Sequence, residues 1–246
     1  MKFFDCNAAF GPYRIPVHRH ALTAAQLIDE LDFLGIDAAM VYHTAQRYYD
    51  PDDGNRLLLT ELAGNDRLSP TWSILPTHTG EQPPADEFVQ LMHRHNVRML
   101  RMYPQSHCYF TDEETWADQM QLYQQRRIPI YIHARLGDIR DLLRSFPDLV
   151  VITGTQGANP LDRYAWPLIE RYPHLYFDTS AYFVDGILES FVKRFGAGRL
   201  LFGTSYPDHA VGGSILMLQQ ADLSNADKQA IAAENLHRLL QQVQLS

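Results

Sequence analysis

The chain alternates short apolar runs with helical patterns along nearly its whole length, and this rhythm limits its possible folds more than any other feature. Runs with strand character lie at Lys2–Asn7, Ala38–Tyr42, Thr71–Leu75, Arg98–Tyr103, Ile130–His133, Val150–Thr153, Leu175–Asp178 and Leu200–Gly203. Helical patterns lie at Thr23–Leu34, Asp86–His95, Glu114–Arg126, Asp138–Ser145, Leu161–Tyr172, Val184–Phe195 and Gly213–Ala221. A last helix is predicted over Asn225–Val243, with Ser224 as its N-cap and Asp227 in its first turn. Eight strands alternating with helices at roughly thirty-residue spacing predict an α/β fold, the (β/α)8 TIM barrel. A doubly wound open sheet shares this alternation, but no glycine-rich phosphate loop follows the first strand. No linker, repeat or low-complexity tract interrupts the pattern, so residues 1–246 are expected to form a single domain.

Composition narrows the function classes. With 46% hydrophobic residues, a chain of 246 can bury a large core. Its net charge is −8 and its basic residues are scattered, which argues against nucleic acid and anionic membranes as partners. No apolar run reaches membrane-spanning length, and the start MKFFDCNAAFGP lacks the apolar stretch of a signal peptide. Cys6 and Cys108 have no metal-like spacing and read as reduced thiols, so a cytoplasmic location is expected. Oligomeric state stays open, with a homodimer the common outcome for soluble proteins.

Six blocks occur in order from Phe3 to Leu240: FFDCNAAFG, PIYIHA, RSFPDLVVITGTQG, LYFDTSAY, RLLFGTSYPDH and DKQAIAAENLHRLL. Together they resemble the amidohydrolase-related (amidohydrolase 2) family, whose barrel enzymes are mostly metal-dependent hydrolases and decarboxylases. The resemblance implies metal ligands at particular positions. The first-strand pair falls on Asn7 and Ala9, the next histidine is kept as His133, a further histidine position holds Thr155, and the aspartate that serves as ligand and base is replaced by Ser205. A divalent site wants about three His or carboxylate donors, and one imidazole does not supply them. The chain therefore resembles a divergent member lacking most metal ligands, and no cofactor is expected.

Strand periodicity then fills the inferred barrel interior. If His133 points inward, so does Tyr131; the same parity turns Asp5 and Asn7 inward with Phe3, groups Arg101 and Tyr103 with Met99, and joins Asp178 and Ser180. As catalytic candidates, Arg101 would hold a substrate carboxylate, His133 would move a proton with Asp5 or Asp178 orienting its ring, and Tyr103 or Tyr131 would donate to a developing oxyanion. Asn7, Thr155, Gln156, Ser180 and Ser205 are candidate binding residues beside them. The bland alternative pairs Arg101 with Asp5 or Asp178, and the hydroxyls merely fill an old metal cavity. His43, Asp208 and His209 sit in loops above the same face, as further binding residues or, with His133, as a relocated metal site.

The expected function is a small-molecule hydrolase or lyase of amidohydrolase lineage, acting on a carboxylate- or lactone-bearing compound without the family's metal centre. One alternative is a non-catalytic descendant that binds a metabolite or protein partner. Another is a metal-dependent hydrolase with a relocated ion.

Overall fold

A computed structural model of the chain describes residues 1–13, 19–154, 162–182, 184–209 and 211–246. The strands are β1 (Phe4–Phe10), β2 (Ala38–His43), β3 (Leu68–Pro70), β4 (Trp72–Ser73), β5 (Leu100–Met102), β6 (Ile130–Ile132), β7 (Val151–Thr153), β8 (Leu175–Asp178) and β9 (Leu200–Leu201). All pair in parallel, in the orders β1-β2-β3 and β4 to β9. Only Thr71 separates β3 from β4, and its N–H still bonds Val41 O, so the two fill one position in the ring. At the other seam Cys6 N donates to Phe202 O and Ala9 N to Tyr206 O, both at 2.9 Å. The result is the eight-position barrel that the alternation predicts.

Helices surround it: α1 (Ala24–Leu34), α2 (Ala45–Tyr48), α3 (Pro51–Glu61), α4 (Ala85–Arg94), α5 (Pro104–His107), α6 (Glu113–Gln125), α7 (Leu136–Ser145), α8 (Asp162–Arg171), α9 (Ile187–Phe195), α10 (Val211–Gln220), α11 (Asn225–Gln229) and α12 (Asn235–Gln241). Their boundaries follow local chemistry. Helix α1 begins where Thr23 Oγ1 accepts from Gln26 N and ends at Gly35, whose φ of 70° suits glycine. Among the described residues, no helix is long and apolar enough to cross a membrane.

The strands sort their side chains by parity. Val41, Leu100, Met102, Ile130, Ile132, Val151 and Phe177 face outward and pack with helix residues such as Leu27, Met92, Trp116 and Leu142. Met40, Met99, Tyr131, Ile152, Tyr176 and Leu201 fill the interior, where Ala233, Leu236 and Leu239 of the last helix close the lower end. This last helix is not the uninterrupted segment the pattern predicts. A π-helical turn at Ala230–Glu234 separates α11 from α12 and frees Ile231 O to accept from Phe202 N at 2.9 Å. Beside it, buried Asn235 donates to Ala197 O and Leu200 O, which fastens the plug to β9.

Two further departures bear on the site. Helices α2 and α3 lie where the pattern shows no helix. Asp50 caps α3 through Asp53 N, Pro51 follows at its first position, and a Cβ on Gly54 would collide with the backbone of Gln46. On β1, the pairing with β2 slips between Asp5 and Ala8. Phe3 therefore packs outside and Phe4 and Cys6 inside, and only after the bulge do Asn7 and Ala9 return to the interior. The inward placement expected for Phe3 and Asp5 is corrected accordingly, while Asn7 does face the interior.

Asp5 instead pins the seam. Its carboxyl accepts from Asn7 N at 2.9 Å, from Thr204 N at 3.0 Å and from Thr204 Oγ1. Burial raises its pKa to about 6, against the lowering effect of those hydrogen bonds. The folded protein thus binds a proton there that the unfolded chain, with a value of 3.8, releases. Stability from this group is fully present below that value and is lost as pH rises through about 6, a change of about 3 kcal/mol. Asp5→Asn keeps an acceptor for both N–H groups and removes the charge. Its unfolding free energy relative to wild type should improve by about 2 kcal/mol between pH 4 and pH 7, read by denaturant titration at both values.

Candidate active site at the barrel mouth

The floor of the mouth is built on Arg101, which extends inward from β5 and is 1% exposed. Its Nε donates to Thr71 Oγ1 at 2.6 Å, its Nη1 to Asn7 Oδ1 at 2.9 Å and its Nη2 to Cys6 O at 3.5 Å. The guanidinium lies over the rings of Tyr42 and Tyr131, 4.3 and 4.7 Å from their centroids. Among the described residues its polar partners are all neutral. The predicted direct pairing with Asp5 or Asp178 is replaced by a bridge. Asn7 accepts from Arg101 and donates through Nδ2 to Tyr131 OH at 2.7 Å, Ser205 Oγ at 3.3 Å and Asp178 Oδ2 at 3.4 Å. The amide dipole thereby runs from cation to carboxylate and fixes its own orientation.

Asp178, fully buried at the end of β8, also accepts from Tyr131 OH at 2.6 Å, from Ser180 N at 2.8 Å and from Ser180 Oγ. A Cβ on Gly154 would strike its carboxyl oxygens, which explains glycine directly after β7. Burial, with the charge of Asp178 second, holds the Tyr131 phenol far above its ordinary pKa, so it remains a donor. Ser205 carries a positive φ of 51°, a backbone conformation that disfavours serine by roughly 1 kcal/mol.

Above this floor stands Arg47 of α2, which the sequence pattern did not single out. Its Nη2 is 2.8 Å from His133 Nε2, and its Nη1 is 3.6 Å from Asp208 Oδ2. A guanidinium has only donors, so His133 Nε2 is the acceptor and the ring proton is on Nδ1. Burial, then the charges of Arg47, Arg101 and His209, lower the His133 pKa to about 4. His133 is therefore a neutral imidazole near pH 7 and a weak base. Tyr103 lies beneath, 2% exposed, its ring 5.6 Å from the Arg47 guanidinium; among the described residues its hydroxyl makes no hydrogen bond of good geometry. Burial keeps that phenol protonated.

Of the predicted site residues, Asn7, Arg101, Tyr131, Asp178, Ser180 and Ser205 form one connected network, Tyr103, His133 and Asp208 gather around Arg47, and the charge of His209 reaches His133. His209 Nδ1 lies 3.0 Å from Ser180 O, linking the two groups. His43 does not join them. It pairs in register with Phe10, packs edge-on against that outward ring at 5.4 Å, and accepts Ala45 N at Nδ1. Thr155 and Gln156 lie outside the described residues. Arg101 is not placed to grip a substrate carboxylate as expected, because it is 1% exposed and three of its N–H groups already meet Thr71, Asn7 and Cys6. Arg47 was missed because its helix has four residues and no amphipathic period to read.

These side chains do not fit the metal that the resemblance implies. Ala9 offers no donor, Asn7 Oδ1 already accepts from a cation, and the one retained imidazole faces a second guanidinium. Among the described residues, no group of three His, Cys, Asp or Glu side chains is placed to hold an ion.

The state of His133 gives a direct check. Between pH 6.5 and about 4 the unfolded chain takes up a proton that folded His133 refuses, so stability from this group is complete above 6.5 and declines as pH falls toward 4. Imidazole NMR should place its midpoint near 4 as the Nδ1–H tautomer, and Arg47→Leu should move it upward. An unchanged midpoint in the variant would show that Arg47 does not act on the ring.

No curated protein matches the chain by sequence. Among solved structures, the chain is similar to an uncharacterized TIM-barrel protein from Bordetella bronchiseptica, at 17% identity, TM-score 0.76, covering 98% of this chain and 99% of that one. It also resembles a dihydroxybenzoic acid decarboxylase from Polaromonas sp. JS666, solved with manganese and the inhibitor 2-nitroresorcinol, at 15% identity, TM-score 0.79 and coverage of 98% and 97%. The 4-oxalomesaconate hydratase of Rhodopseudomonas palustris follows at 13% identity, TM-score 0.69 and coverage of 98% and 96%. At these identities the structures establish the shared barrel. The amidohydrolase 2 sequence profile matches residues 3–241, and the chain belongs to that amidohydrolase family.

Proposed function

We propose that the barrel mouth binds a small carboxylate-bearing molecule on Arg47 and acts on it as a hydrolase or lyase without the family's metal centre. The observation that carries this reading is the incomplete pairing of Arg47. Its side chain is only 15% exposed, yet among the described residues it holds one hydrogen bond, to a neutral ring, and a loose ion pair, while its buried Nε has no partner there. A guanidinium so placed favours a planar oxyanion that can take two N–H groups at once. The decarboxylase and hydratase of the same fold have names that denote carboxylate substrates, which supports the same ligand class here.

Binding would alter the chemistry of the site in a defined way. A ligand carboxylate that takes the Arg47 N–H groups releases His133 Nε2 and neutralises the nearest charge that lowers its pKa. The imidazole then becomes a better base only when the site is filled. Tyr103, whose hydroxyl makes no hydrogen bond of good geometry among the described residues, supplies a donor to oxygen charge developing on the ligand. Asp178 and Tyr131 hold the floor beneath these groups and need not touch the ligand. A purely binding role is favoured by one observation, the weak basicity of His133 in the free protein.

A panel of small aromatic and aliphatic carboxylates, screened by thermal shift and followed by product analysis, tests the proposal. Carboxylates should stabilise the wild-type protein, and Arg47→Leu should weaken them by at least about tenfold, equivalent to about 1.4 kcal/mol. Turnover lost in His133→Ala with retained binding supports catalysis; binding with no turnover in the wild type supports the non-catalytic descendant. Equal carboxylate affinity in the Arg47→Leu variant would sink the assignment of the anion site.

A further inference from the structure

We infer that Arg101 is the resident cation of this barrel: its guanidinium takes the place at Asn7 that an ion would otherwise need, in a compartment shaped for a guanidinium. The claim is separate from ligand binding at Arg47. It rests on the way the group is enclosed. Three of its N–H directions are matched by neutral oxygens, Thr71 Oγ1 from the third barrel position and Asn7 Oδ1 and Cys6 O from β1. Two aromatic rings, Tyr42 and Tyr131, lie against the guanidinium, their centroids 4.3 and 4.7 Å from its central carbon. Donors directed at three oxygens and two rings close to a planar charge occur together, a combination that a spherical ion or an ammonium group does not reproduce.

The arrangement also accounts for the neutral first contacts. A divalent ion calls for anionic oxygen or imidazole ligands, whereas a delocalised single charge is stabilised by carbonyl, hydroxyl and amide oxygens. The counter-charge, Asp178, is kept one amide away through Asn7. Tyr131 serves twice, with its ring against the cation and its hydroxyl on the carboxylate. Removing the Arg101 side chain should therefore leave a cavity with donors and faces ready for a free guanidinium ion.

Chemical rescue tests this in the full-length chain. Arg101→Ala should melt several degrees below wild type, and a few millimolar guanidinium chloride should restore a large part of that loss while leaving wild type unchanged. Sodium chloride at matched ionic strength should not restore it, nor should tetramethylammonium, which has charge but no N–H. Manganese and zinc should restore nothing. Guanidinium acting no better than sodium, or a divalent metal rescuing equally well, would overturn the proposal. If Arg101→Ala does not fold, the wild-type protein still decides. In arginine-labelled protein, with the assignment made by Arg101→Lys, the Arg101 guanidinium N–H signals should be resolved and exchange far more slowly than those of exposed Arg140. Exchange at the rate of exposed Arg140 would equally overturn it.

Discussion

A full positive charge buried inside the barrel is the constraint on which the rest of this structure depends. Taking a guanidinium out of water is costly by several kcal/mol unless its donors and faces are met. Here the meeting groups come from distant parts of the chain. Thr71 interrupts the third barrel position, Asn7 is turned inward by the bulge on β1, and the rings of Tyr42 and Tyr131 come from β2 and β6. Asn7 is the joint between this cation and the Asp178–Tyr131–Ser180 cluster. Exchange of a single member would leave a buried charge or amide unpaired, so the floor behaves as one unit.

That sealed floor changes what the mouth can do. Arg101 is buried and acts on the mouth through its field; burial, then the charges of Arg47 and Arg101, keep His133 neutral near pH 7. The accessible chemistry therefore moves one layer outward, to Arg47, His133, Tyr103 and Asp208. Arg47 reaches this position because α2 follows β2 after only Thr44 and packs against α3 where Gly54 allows close approach. A loop insertion between β2 and β3 thus supplies the cation that faces the mouth, as expected for a fold whose function is carried by loops at one end of a rigid barrel.

Much of this was legible in the sequence, and the exceptions have identifiable causes. Alternation correctly placed Arg101, Tyr103, Tyr131 and Asp178 inside, because β5, β6 and β8 are regular and a period of two carries their parity without error. On β1 one extra residue broke the parity, and a bulge of this kind leaves no mark in a run such as DCNAA. Helix α3 had a readable start, Asp50-Pro51 with acids behind it, but Gly54 and Asn55 lowered its apparent helicity; both are there for contacts that only the fold reveals. His43 was misplaced because a histidine at a strand end reads as a site residue whichever face it takes. The residues at the positions that the resemblance assigns to metal ligands could be read directly from the sequence. That a guanidinium stands beside Asn7 required the folded chain, since Arg101 lies 94 positions away.

The most direct test of the account is the metal content of untagged, purified protein by inductively coupled plasma mass spectrometry, paired with thermal melts before and after chelation. A floor organised by Arg101 predicts manganese and zinc far below one equivalent, with the melting temperature unmoved by chelator. A near-stoichiometric divalent metal whose removal lowers the melting temperature would contradict it, and would return the chemistry of this barrel to an ion held by ligands other than Asn7 and Ala9.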